Sequence, residues 1–125
     1  MRRPSRVTSA IVPALGILVV VALGGAARLA AHHGWTGYQD KETQLTGTIA
    51  GASYENPHGQ VDLTVDGKRW QIVLAPPSRM QARGLQREML KVGAQATVVG
   101  YVHKTTATEL RAERITINGR TTELR

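Results

Sequence analysis

Val61-Asp62-Leu63-Thr64-Val65-Asp66-Gly67-Lys68-Arg69-Trp70-Gln71-Ile72-Val73-Leu74 carries two alternating runs on either side of an Asp-Gly pair. Val61, Leu63 and Val65 face one way and Asp62 and Thr64 the other, and Trp70, Ile72 and Leu74 repeat the apolar half of the pattern. A period of two marks a half-buried strand, and Asp-Gly between two such runs sets a two-residue hairpin turn. The stretch therefore predicts an antiparallel hairpin, and the domain around it is read as mainly β.

Upstream, Gln44 to Tyr54 alternates in the same way, with Leu45 and Ile49 on one face and Thr46 and Thr48 on the other. Gly47 and Gly51 fall on the apolar face, where a missing side chain lets a long strand bend or coil. Asn56-Pro57-His58-Gly59 then breaks the strand. Downstream, Pro76-Pro77-Ser78 opens an apolar stripe of Met80, Leu85, Met89 and Leu90, a helix from about Ser78 to Leu90 that Gly84 interrupts, so one helix and two short pieces both fit. Ala96 to His103 reads as a fourth strand. Glu109 to Ile117 reads as a fifth, and its apolar parity changes between Ala112 and Ile115, so a bulge is expected near Glu113-Arg114. After the Asn118-Gly119 turn, Arg120 to Arg125 has the length of a short edge strand.

Three strands, a helix and two strands, with a bent first strand, is the order of a small five-stranded OB-like Greek-key barrel with one short helix between strands three and four. Another small open barrel is the alternative. In the OB arrangement the loop after strand one and the loop between strands four and five lie on one side, which would put His58 and His103 on one rim.

The residues ahead of this domain are of another kind. Arg2, Arg3 and Arg6 precede an uncharged run from Thr8 to Ala27 rich in Ile, Leu and Val, the pattern of a secretory signal. A cut after Ala31 places Ala31 and Leu29 at the positions where signal peptidase selects small or compact apolar residues. The same apolar helix, through residues 10–27, is long enough to stay as a membrane anchor with its basic end in the cytoplasm. The plan is a signal peptide or uncleaved anchor over 1–31, a tether over 32–43 carrying Trp35 and Tyr38, and the β domain over 44–125. Both topologies place the domain outside the cytoplasm, free in the periplasm or anchored to the inner membrane.

The 125-residue chain has a formal charge of +7, which suggests a polyanion binder until the charge is located. Four arginines sit in the leader, and His32 to Arg125 holds 12 basic and 9 acidic residues, interspersed as in Glu109, Arg111, Glu113 and Arg114. That pattern reads as a solvated strand face and argues against nucleic acid. Cys is absent, which removes thiolate catalysis, disulfides and Cys-ligated zinc.

His32-His33-Gly34-Trp35, Leu45-Thr46-Gly47, Asn56-Pro57-His58, Trp70, Gly84, Leu90-Lys91-Val92-Gly93 and Gly100-Tyr101 together resemble a family of small exported bacterial proteins classed as a domain of unknown function. The resemblance spans nearly the whole mature region and implies location and fold; it implies no activity. Leu85 stands where an aromatic is often found and Ala94 where an acidic residue is, and His103 is not part of the pattern.

His32 and His33 are the sharpest chemical feature. A His at a mature N-terminus offers its amine and a ring nitrogen to one metal as a chelate suited to Cu(II), with imidazole supplied by a further residue, for which His58 is the candidate. A cut after Ala30 would make His33 third from the amine, which also builds a Cu(II) or Ni(II) site. The bland readings are that the pair is a polar lead-in and that His58 caps its own turn. His103 reads as a strand-face residue, and Trp70, Met80 and Met89 as core. No carboxylate pair has a catalytic reason, and Ser53 and Ser78 have no identifiable base, so the domain is expected to be non-enzymatic. The expected metal ligands are His32, His33 and His58, the expected ion copper or another transition metal, and the alternative a metal-free module that holds an envelope protein or another ligand.

Overall fold

The computed structural model describes residues 35–125. The expected leader over 1–31 with its apolar helix lies outside the described residues, as do His32 and His33. Among the described residues no helix is long and apolar enough to cross a membrane.

The domain is mainly β. Strands β1 (Tyr38–Ser53), β2 (Gln60–Val65) and β3 (Lys68–Val73) precede helix α1 (Pro77–Ala82) and a 3₁₀ turn (Arg87–Met89), and β4 (Gln95–His103), β5 (Glu109–Ile117) and β6 (Arg120–Glu123) follow. The sheet order is β3-β2-β1-β4-β5-β6 with antiparallel neighbours, and β3 also pairs with β5, in parallel. The run of five strands is thus hydrogen-bonded end to end.

The hairpin forms where the alternation places it, with Val65 opposite Lys68 and Asp66 and Gly67 both at positive φ. Asn118 and Gly119 repeat that turn between β5 and β6. The expectation of five strands is corrected to six, because this turn brings the tail back far enough to bury Thr122 and Leu124. The helical region resolves into the two short pieces: Gly84 at positive φ stops α1, and Met80, Leu85 and Leu90 still reach the core.

The first strand begins at Tyr38, six residues before its apolar alternation starts, so the stretch read as the far end of a tether is strand. Its polar residues pair edge-on with β4 and bury little, which hides a strand from a hydrophobicity pattern. Opposite β5 the register slips between Val99 and Gly100, leaving Glu113 as the extra residue, which places the bulge where parity put it. Leu63, Ile72, Val98 and Leu110 from four strands are fully buried with Met80 and Leu85 over them, and each such side chain contributes about 1.5–3 kcal/mol of burial.

Candidate functional site

The site grows from Trp35. A turn in which the Tyr38 amide donates to the Trp35 carbonyl at 3.0 Å folds the segment against the sheet, and the Lys104 amide ties it to the β4–β5 loop through the Gly37 carbonyl at 2.8 Å. The Trp35 ring lies 6.2 Å from that of Tyr38 and meets Tyr101 edge-on at 5.8 Å. Two guanidinium groups rest against it, Arg111 at 4.4 Å and Arg125 at 4.8 Å from its centroid. Cation–π pairs of this kind stabilise by about 0.5–2 kcal/mol according to how far they are desolvated.

Tyr38 links this cluster to the end of β4. Its hydroxyl donates to Glu109 at 2.7 Å and its ring meets that of His103 at 5.1 Å. Burial, and after it the Glu109 carboxylate, push the phenol up to about 12. His103 accepts at Nδ1 from the amides of Thr105 and Thr106 at 3.2 and 3.1 Å, leaving Nε2, 3.9 Å from Glu109, to carry the ring proton. From the last position of β4 its ring organises the β4–β5 turn, where the sequence suggested a strand-face residue.

His58 is half-buried in the β1–β2 loop, after a cis Asn56–Pro57 bond. Gly59 beside it packs so closely on Met80 of α1 that a Cβ there would overlap the Met80 side chain. Among the described residues the His58 ring has no hydrogen-bond partner, so it does not cap its turn. Burial first, then the charges of Arg111 and Arg79, hold it below its ordinary value of 6.5 and keep the imidazole neutral at pH 7. Arg79 also donates to the Leu124 carbonyl at 3.2 Å, and Arg83 holds the carbonyls of Glu123 and Arg125 at 2.9 and 2.8 Å. Arg79 of α1 and Arg83 just after it thereby fix the tail whose Arg125 side chain rests on Trp35.

A pocket of about 360 Å³ opens beside Trp35, lined by Tyr38, Gln39, Asp40, Tyr101 and Arg125. It exists because β1 contributes more residues than β4: Tyr38 faces His103 and Glu42 faces Tyr101, so residues 39–41 stand against Val102 alone.

Of the expected metal ligands the described structure places only His58. It does not bring His58 and His103 into contact; Arg111 and Tyr38 are the side chains that relate them. Among the described residues no group of three or more His, Asp and Glu side chains has the arrangement to hold a metal ion. The solvated face read into Glu109, Arg111, Glu113 and Arg114 is corrected: all four are partly buried, and Trp35 and Tyr38 fold over Arg111. The roles of Arg111, Arg125 and Asp40 were missed because alternation assigns Arg111 to solvent and the other two lie outside any apolar pattern; the only sequence signal was a pair of aromatics three residues apart in a polar lead-in.

A family model described as a family of unknown function, DUF6152, matches residues 19–123. No curated protein matches the sequence. Among solved structures, the S. pombe Stn1-Ten1 complex resembles it at a TM-score of 0.50 and 15% identity, over 61% of this chain and 57% of that one. A complex of TiaS with tRNA and ATP matches at a TM-score of 0.47 and 18% identity, over 68% of this chain and 19% of that one. At such identities the Stn1-Ten1 likeness is one of fold alone.

Proposed function

The chain belongs to the DUF6152 family, and from that premise we propose that it is a non-enzymatic exported domain of the periplasm that binds copper, or another transition metal, through His32 and His33 with His58 as a third ligand. The observation that carries this reading is the docking of Trp35. Trp35 follows His33 in sequence by two residues, a span of at most about 7 Å, and its ring rests against Arg111 and Arg125. Arg111 is in turn near enough to His58 to act on its titration. A neutral imidazole with no hydrogen-bond partner among the described residues has its lone pair available, the form a metal requires. The two nearby arginines also oppose a dication, and that sets a limit on affinity.

We read the fold that presents these groups as an OB-like barrel, supported by the ring of pairings β1-β2-β3-β5-β4 and by the likeness to Stn1-Ten1. A nucleic-acid ligand is not favoured. The residues of β2 and β3 that alternate with the core, Gln60, Asp62, Thr64, Arg69, Gln71 and Val73, include no aromatic ring for a base to stack on.

Native mass spectrometry of the protein recovered from the cell envelope and equilibrated with one equivalent of Cu(II) tests the proposal. The expected species starts at His32 and holds one copper more tightly than a His-His-Gly-Trp peptide does. A full-length chain, or a cleaved one that binds no better than the peptide, overturns it.

The second reading, a metal-free ligand-binding or envelope-interaction module with or without the membrane anchor, is favoured by the aromatic pocket, whose walls need no metal.

A further inference from the structure

We propose that the pocket beside Trp35 is a binding site for a small organic cation of the quaternary-ammonium class, in which the chain's own Arg125 acts as stand-in. It goes beyond the metal reading and requires no metal. Three features on different elements converge there. The walls are aromatic: Trp35, Tyr38 and Tyr101 meet at inclinations of 60° and 90°, so their faces point in different directions around one space. Cations already sit on these walls, the Arg125 guanidinium 4.8 Å and the Arg111 guanidinium 4.4 Å from the Trp35 centroid, Arg111 also 6.0 Å from that of Tyr38; of the two, Arg125 lines the pocket. Electron-rich ring faces attract a positive charge whichever molecule carries it, and cages of such rings are the general means of holding a poorly hydrated ammonium group.

The third feature is acidic. The extra residues of β1 put Asp40 on the pocket's lining, and Glu113 lies behind Tyr101, whose hydroxyl it accepts at 3.3 Å. Burial first, then Glu113 and Glu42, raise the Tyr101 phenol against the opposing charge of Arg125. Arg125 has an alternative partner, since it already reaches Glu113 at 3.4 Å. An incoming cation would take its place over Trp35 and meet Asp40, while Arg125 kept Glu113. The bulge is what gives the pocket its width, because two residues in excess lift the strand off its neighbour.

The test is a titration of the full chain with choline and with 3,3-dimethylbutanol, its uncharged isostere. Trp35 fluorescence is followed in a Trp70→Phe background. Choline should give a saturable change that the alcohol does not. Arg125→Gln should tighten choline binding about threefold by removing the competitor, and Asp40→Asn should weaken it about threefold. Because Arg125→Gln also removes a contact on Trp35, Asp40→Asn, an exposed position, carries the decision. Equal responses to choline and the alcohol, no saturable response to choline in either the Trp70→Phe protein or its Arg125→Gln variant, or unchanged affinity in Asp40→Asn would each overturn the proposal.

Discussion

His58 and Tyr38 are residues whose surroundings convert directly into pH dependence. The folded His58 binds its proton less readily than the unfolded one, so around pH 6.5 the unfolded chain holds more protons and stability rises with pH. Acidification from neutral through the depressed folded value should therefore erode stability, and His58→Gln should flatten the slope in denaturant melts between about pH 5 and 7. Tyr38 has the opposite sign of slope. Its folded phenol keeps its proton up to about 12, so the stability it contributes is present below the ordinary value near 10 and is lost as pH climbs from there. Melts above pH 9 should show this loss, and Tyr38→Phe should make it shallower. Arg79→Gln removes one of the two positive charges acting on His58. Under the copper proposal it should raise the ring's proton affinity by NMR titration and tighten Cu(II) binding; unchanged copper affinity would separate His58 from the metal.

At the scale of elements, backbone contact decides more than side-chain pattern. A Cβ at Gly47 would run into the Thr64 carbonyl, and one at Gly100 into the Arg111 carbonyl, so both strands approach their neighbours more closely than a side chain allows. Gly47→Ala and Gly100→Ala should each cost about 1–3 kcal/mol in unfolding free energy, whereas Gly51→Ala, where the nearest atom is the Asp62 carboxylate at 3.3 Å, should cost less. The N-terminal turn depends on tertiary contacts throughout. Trp35→Ala removes the surface on which Arg111 and Arg125 rest and should leave the core melting within about 1 kcal/mol of the parent. Under the copper proposal, the same variant should bind Cu(II) no better than the free peptide, because the docked ring no longer anchors the chain that follows the histidine pair. The hairpin turns, an interruption of the helix at Gly84 and a bulge near Glu113-Arg114 were legible beforehand, since each follows from a local rule about positive φ, helix breaking or parity, while the choice between one helix and two pieces was left open. The polar start of β1 was not, because its pairing with β4 involves residues 57 to 65 positions away, Thr43 with Gly100 and Tyr38 with His103.

The domain over the described residues is held by one core drawn from β1 to β5, from α1 and from Leu124 just after β6. Leu63→Ala at its fully buried centre should cost about 2–5 kcal/mol, a large share of the stability of a domain this size, read as a shifted midpoint in urea. By itself the sequence determined the strands that bury one face, their turns and the helical insertion. Those follow from periodicity and from the few residues that tolerate a given backbone. Only the tertiary structure decided that a sixth strand forms, that β3 pairs with β5, and that Trp35 lies between Arg111 and Arg125 beside a pocket. Contacts between side chains so far apart in sequence leave no local period, because what selects them is the space remaining once the core has closed.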